Sequence, residues 1–260
     1  FCHDFALTEN YIVFFLSPIA IKSPLPWLAG LMPFEQAISW QPELGMKVYV
    51  VRTSDFGVEK VFTVEKPYIA IHFSNAWENA DGNIEIDLTR FEDFSVNNLL
   101  KDVFHSQGNS FSGTFWRVTL DMHGNQIKQQ QYKNALHGEF PQWDHRYTTQ
   151  PTSVMYAACM MSQQSTFFDG IQRIDVTSGE VRSHFLGAGR YTSEAMHIPP
   201  GDNDANREGW LVSMIYNATT HTSEVVLYDA ATLSEVAVVP LRNHVPFGFH
   251  CGYTTKTFVR

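Results

Sequence analysis

Three strand-turn-strand units recur at a fixed interval in the second half of the chain. RVTLDMHGNQI is built around Asp121, RIDVTSGEV around Asp175 and VLYDAATLSEV around Asp229, so equivalent aspartates follow one another every 54 residues. A period near 50 residues, with alternating apolar strands joined by an Asp, Gly or Ser turn, is the pattern of β-propeller blades. KVYVVRTSDFGVEKVFTV fits the same template less regularly, with SDFG as its turn. NYIVFF, YIAIHF, IEIDLTRF, SVMYAAC and GWLVSMIY are short and rich in β-branched and aromatic residues, as blade strands are. The expected fold is therefore all-β, with residues 95–104 as the best candidate for a helix. Four or five blades are visible, too few to close the usual ring. The start at Phe1, mid-strand and without an initiator methionine, reads as the beginning of a C-terminal fragment.

The chain has 260 residues and 14% aromatic content, enough to bury a sizeable core, and residues 1–260 are expected to form a single domain. A net charge of -9 with no run of Lys or Arg argues against a nucleic-acid partner, since phosphate binding needs a basic stripe. Asp87, Arg90 and the EDF that follows are the nearest approach to a charge cluster and read as a solvated surface. Cys2, Cys159 and Cys251 are too few and too scattered for a disulfide framework or a zinc site, which suggests a reducing compartment. Cys2 and Cys251 read as packing residues, because neighbours along a strand point to opposite faces. No leader sequence is visible, and no apolar stretch reaches the roughly 18 residues that span a bilayer. HExxH, GxSxG and Gly-rich phosphate loops are all missing, so protease zinc, serine hydrolase and nucleotide readings have no support.

Chemistry is suggested by three histidines beside polar or turn residues: His3 in HDFALTEN, His72 in HFSNAWEN and His250 in HVPFGFHCGY. Imidazole suits iron, copper, nickel or zinc. The inner strands of a propeller line its axis, so histidines distant in sequence can meet there. Glu139 in EFPQWD and Glu194 in YTSEAMHIPP are suited to orient such imidazoles from behind. The remaining histidines fall in turns or polar runs without partner spacing.

Taken together and in this order, these segments resemble the carotenoid cleavage oxygenase family over nearly the whole chain. HDFALTENYIVF looks like the family's second metal-ligand motif, HFSNAWE its third and HVPFGFH its last, with His250 in place of His244 as ligand. EFPQ resembles the segment that supports the third ligand, which places Glu139 behind His72. SEAMHIP is a looser match to the segment that places Glu194 behind His250. The family's first histidine and one further glutamate belong upstream of His3, and Cys251 stands where the family usually has Gly.

The resemblance implies a seven-bladed propeller holding one iron(II) per subunit on four neutral histidines, three of them in this chain. With dioxygen as co-substrate, such an enzyme splits a conjugated double bond of a carotenoid or apocarotenoid into aldehyde products. Stilbene cleavage and an iron-dependent retinoid isomerohydrolase are the alternatives within the family, and a non-catalytic binding propeller is the alternative outside it. Phe5, Phe73, Trp77, Phe140 and Trp143 lie near the motifs as candidates to line an apolar substrate tunnel. Residues 19–34, IAIKSPLPWLAGLMPF, contain three prolines and read as an apolar loop; in relatives the corresponding segment dips into membranes. The expected location is intracellular, in cytoplasm or plastid, soluble or peripherally membrane-associated.

Overall fold

The computed structural model describes residues 2–97, 113–162, 165–201 and 207–254. Its strands fall into four antiparallel meanders that follow one another along the chain. The first comprises β1 (Ala6–Leu7), β2 (Tyr11–Leu16), β5 (Met46–Arg52) and β6 (Val58–Val64). The second comprises β7 (Ile69–Glu78), β8 (Ile84–Phe91), β9 (Thr114–Leu120) and β10 (Ile127–Gln131). The third comprises β11 (Gly138–Gln142), β12 (Val154–Cys159), β13 (Gly170–Asp175) and β14 (Val181–Phe185). The fourth comprises β15 (Arg190–Ile198), β16 (Trp210–Asn217), β17 (Thr222–Asp229) and β18 (Glu235–Pro240). A small hairpin of β3 (Ile19–Ile21) and β4 (Ile38–Trp40) is inserted between β2 and β5.

The opening strand of each sheet packs on the opening strand of the next, β1 on β7, β7 on β11 and β11 on β15. Alternation along the strands explains why the sheets stack. In β2 and β5 every second residue is buried, and Val13, Phe15, Val48 and Val50 meet Ile84, Ile86, Leu88 and Val118 of the second sheet in one apolar layer. Phe115 and Tyr132 pack on Met155, Ala157 and Ile174 between the second and third sheets. Tyr156 and Ile171 pack on Leu211, Ile215 and Val226 between the third and fourth. Each buried Val, Leu, Ile, Phe or Met among them contributes about 1.5–3 kcal/mol by leaving water, so the inter-sheet layers hold the opening strands side by side.

The repeated aspartates are turn residues of the outer hairpins, which join the third and fourth strands of a sheet. Asp121 Oδ1 accepts the N–H groups of His123 and Gly124 at 3.0 and 2.8 Å. Asp175 Oδ1 accepts those of Thr177 and Ser178 at 3.0 and 2.8 Å, and Asp229 Oδ1 those of Ala231 and Thr232 at 3.1 and 2.9 Å. A side chain that satisfies two turn amides substitutes for ladder bonds the turn cannot make. Asp55 of SDFG does the same for Gly57 N at 2.9 Å. Lys60 ties the first sheet to the second by donating from Nζ to the carbonyls of Asp121, Met122 and Gly124.

Two expectations need correction, those on residues 19–34 and on the charge cluster. Residues 19–34 are not simply a loop: they contain β3 and a short helix α1 (Pro24–Leu28), and a second, α2 (Phe34–Ala37), begins at the segment's end. The prolines are compatible with α1 because its first turn needs no N–H donors. Residues 95–97 are helical, whereas the rest of the 95–104 helix expectation lies outside the described residues. The charge cluster is also less solvated than its composition suggests. Glu92 and Asp93 are exposed, but Asp87 is only 1% exposed and is held by Arg117 at 3.0 and 2.8 Å and by the Tyr132 hydroxyl at 2.6 Å. Arg90 lies over the rings of Tyr68 and Trp116, at 4.3 and 4.6 Å from their centroids.

Candidate metal centre

Three of the four opening strands, β7, β11 and β15, break their ladders near the place where a site residue sits. In β7 the register shifts between Ala70 and Phe73, and again before Ala76, which puts His72 inside an irregularity. In β11 the shift lies between Glu139 and Gln142, and in β15 between Thr192 and Ala195, enclosing Glu194. Strict alternation would send successive side chains to opposite faces of a sheet; a bulge re-aims one of them. At β11 the backbone shows how: Phe140 has φ of 59°, the left-handed region, with Pro141 behind it.

The histidines meet. One ligand nitrogen from each of His3, His72 and His250 lies within 4.8 Å of the others. The His72 ring stands 5.1 Å from that of His3 and 4.9 Å from that of His250, edge-on to both. His3 lies three residues before the start of β1 and is drawn toward β7 by its neighbours. Asp4 Oδ2 accepts Phe73 N–H at 3.2 Å, and Glu78 of β7 accepts the Thr8 hydroxyl and both the backbone and side-chain N–H of Asn10 at 2.7–2.9 Å. His250 follows β18 in a segment without regular structure, its side chain half exposed.

Behind the histidines stand the two buried glutamates, each 4% exposed. Glu139 Oε2 lies 2.7 Å from His72 Nδ1 and accepts Phe140 N–H at 2.5 Å. Glu194 Oε1 lies 3.4 Å from His250 Nδ1, a long contact, while its Oε2 accepts Cys251 N–H at 2.6 Å. With Nδ1–H directed at a carboxylate, the Nε2 lone pair of each ring is free to point away from it. Burial draws His72 toward the neutral form, but the Glu139 hydrogen bond and charge outweigh it, and the net shift is upward. Burial and the adjacent His72 lower the pKa of His3.

The residues present fit a cation. His72 Nε2 is buried and has no hydrogen-bond partner among the described residues. Leaving such a group unsatisfied costs about 1–3 kcal/mol, a deficit a bound metal would remove. Three imidazoles and no carboxylate at the common point form a donor set suited to iron, copper, nickel or zinc.

The aromatic candidates are scattered. Phe140 lies against His72 and His250, with ring centroids 5.4 and 5.5 Å away, and also touches Phe168 and Phe249. Phe73 packs on Phe15 in the core, and Trp77 is buried with the Arg117 guanidinium 4.8 Å from its centroid. Phe5 is 48% exposed beside Phe14, and Trp143 lies against His145 with ring centroids 4.2 Å apart and the planes tilted by 45°. Cys2 and Cys251 are exposed, correcting the packing expectation: neither lies on a strand, so strand alternation does not apply to them.

Several residues near the site lie inside the segments HFSNAWE, EFPQ and SEAMHIP, yet nothing local in those segments announces the contacts they make. Asn75 clamps the loop after β11 by donating to the carbonyls of Tyr147 and Gln150 and accepting Thr149 N–H. Gln142 donates to Glu194 at 2.7 Å and faces His145 at 3.3 Å. His197 is not a turn residue: it lies on β15, stacked on Tyr156 and 2% exposed. His105 lies outside the described residues.

Against known proteins, residues 1–255 match the family model for the retinal pigment epithelial membrane protein. The chain belongs to this family, that of the carotenoid cleavage oxygenases. It is 27% identical over 255 residues to the apocarotenoid-15,15'-oxygenase of Synechocystis, covering 96% of this chain and 51% of that protein. The Crocus sativus carotenoid 9,10(9',10')-cleavage dioxygenase is 27% identical over 271 residues, with 98% and 48% covered. Resveratrol cleavage oxygenase 1 of Aspergillus fumigatus is 27% identical over 256 residues, with 87% and 48% covered. The chain thus spans about half the length of these curated relatives. Among solved structures, cobalt-substituted Synechocystis ACO superposes with a TM-score of 0.84 at 23% identity, over 96% of this chain and 52% of that one. That likeness supports the all-β fold.

Proposed function

We propose that this chain is the metal-holding part of a non-haem iron(II) dioxygenase that cleaves a conjugated double bond of a carotenoid or apocarotenoid. The observation that carries this reading is the convergence of His3, His72 and His250 on one point, with Glu139 and Glu194 behind two of them. A ferrous ion held there would supply the one-electron chemistry that lets triplet dioxygen react with an olefin. Neutral imidazole ligands leave the ion its full positive charge, unlike sites that include a carboxylate ligand. Glu139 and Glu194 act through the rings, each holding a proton at Nδ1 and so fixing which nitrogen faces the ion. Phe140, lying against His72 and His250 with Phe168 and the exposed Phe249 beside it, offers an apolar wall that would hold a polyene by dispersion. Where the wall sets the polyene relative to the metal decides which bond breaks. Both atoms of dioxygen end in the two carbonyl products.

A stilbene is the second substrate reading, supported by the likeness to a resveratrol-cleaving relative. Four successive four-stranded sheets whose opening strands pack side by side are read as blades of a seven-bladed ring, with residues 1–260 as part of that one domain. No helix among the described residues is long and apolar enough to cross a membrane. Residues 19–34 expose Leu25, Leu28 and Leu31 at 76%, 70% and 80%, which supports peripheral contact with a bilayer in an intracellular protein. Liposome co-sedimentation should weaken when Trp27 and Leu28 are made polar; unchanged binding rejects that role.

The reaction is tested by supplying an apocarotenoid, a stilbene and a retinyl ester to the iron-loaded protein under air and under argon. Aldehyde formation under air alone supports the oxygenase. Oxygen-independent turnover of the ester points to an isomerohydrolase, and a protein that takes up no iron points to a binding module.

A further inference from the structure

We infer that Gln142 is a positioning residue for the metal centre: it fixes the Glu194 carboxylate behind His250 through a hydrogen-bonded chain that begins at His145. The inference rests on the reading of His3, His72 and His250 as metal ligands. His72 and His250 are supported differently. Glu139 approaches His72 closely, at 2.7 Å, from the strand next to it. Glu194 approaches His250 only at 3.4 Å, and His250 belongs to a half-exposed segment with no strand to hold it. Whatever fixes the Glu194 carboxylate therefore matters more for His250 than the corresponding support does for His72.

Gln142 is 9% exposed at the end of β11 and donates from Nε2 to Glu194 Oε1 at 2.7 Å. An ionised carboxylate only accepts, so the Gln142 amide must present its NH2 to Glu194. Its Oε1 then faces His145 Nε2 at 3.3 Å, which requires that nitrogen to carry the proton. Polarity is thereby defined along the whole chain: His145 Nε2–H to the Gln142 oxygen, Gln142 N–H to Glu194 Oε1, and Cys251 N–H to Glu194 Oε2 at 2.6 Å. With both oxygens engaged, the carboxylate plane is set, and the ring of His250 is turned by it. His145 is itself placed by the Trp143 ring, 4.2 Å away. One strand, β11, thus supplies Glu139 to one histidine and Gln142 to the support of another.

Co(II) loading of the full-length protein separates this inference from the metal reading beneath it. Gln142→Leu keeps the volume and removes both hydrogen bonds. It should shift the visible absorption bands of bound Co(II) and weaken Co(II) binding, in competition with a chelator, by on the order of 10-fold, the lower end for groups that support a ligand. Gln172→Leu is the structural control. Gln172 is a fully buried amide of the same sheet whose two hydrogen bonds, both 2.9 Å, go to the Leu136 backbone, away from the histidines. It should lower thermal stability but leave the Co(II) bands unmoved. His145→Phe keeps a ring against Trp143 and frees the Gln142 amide, so it should move the bands in the same direction as Gln142→Leu, to a smaller extent. Should Gln142→Leu fail to fold, His145→Phe decides by itself. Unchanged bands and affinity in these variants, or an equal shift in Gln172→Leu, would overturn the positioning role while leaving the metal site standing. An unmutated protein that takes up no Co(II) or iron overturns both.

Discussion

The outer hairpins and the opening strands of the four sheets are built from the same kind of residue but behave oppositely. At the rim, Asp121, Asp175 and Asp229 repeat one device, a carboxylate oxygen that accepts two turn amides. At the opening strands the ladder is interrupted instead: β7, β11 and β15 each shift register against the next strand, β7 twice, and those shifts hold or border His72, Glu139 and Glu194. Regularity marks the part that only has to fold. Irregularity marks the part that aims side chains at a common point.

The comparison breaks most readily at the histidines. His72→Ala should abolish stoichiometric iron binding, read by metal analysis, since it removes the one fully enclosed donor. Glu139→Gln keeps the shape but loses the carboxylate behind His72 and should reduce iron affinity about 10 to 100-fold. Glu194→Gln should fall toward the lower end of that range, because the carboxylate it replaces contacts His250 only at 3.4 Å. Equal losses for the two glutamates would mean that their distances carry no functional difference.

Between centre and rim, Asp87→Ala strands the Arg117 guanidinium and the Tyr132 hydroxyl beside a buried site. Urea unfolding should show a loss of about 3 kcal/mol, with iron affinity unchanged. Asp175→Ala at the rim should cost about 1 kcal/mol and likewise spare the metal.

The smallest expected effect is in pH dependence. Backbone N–H donors hold Asp121 and Asp175 below the ordinary aspartate range, and at Asp229 the same bonds outweigh burial. A lowered folded pKa means that the ionised form stabilises the fold. That contribution is complete above about pH 4, the unfolded aspartate value, and is lost as pH falls further through the folded values. The stability curve of Asp175→Ala should therefore be shallower than that of the unmutated protein in this acid window. A parallel curve would remove the rim aspartates from the account.

The same division decides what could be read from the sequence. The outer hairpins were legible because one short turn device recurs with little variation, and alternation along β2, β5 and β16 shows which faces are buried. His3, His72, His250, Glu139 and Glu194 were legible through motifs, not periodicity, since a bulge carries no composition of its own. Gln142, Asn75 and Asp4 act through tertiary contacts with residues 52, 72 to 75 and 69 positions away, a link no local pattern encodes. Asp87 was misread for the same reason: its partners Arg117 and Tyr132 come from β9 and from the residue after β10. The prolines of residues 19–34 suggested a loop, because helix exclusion by proline fails in a first turn.

The central claim is that three imidazoles from separate parts of the chain hold one ion. X-ray absorption at the iron edge, on protein loaded anaerobically with ferrous ion, tests it most directly. The account predicts one iron per chain with imidazole scattering at about 2.1 Å, taking zinc–imidazole distances as the guide, and loss of that scattering in His72→Ala. Iron bound with no imidazole signal, or a His72→Ala spectrum identical to that of the unmutated protein, would contradict it.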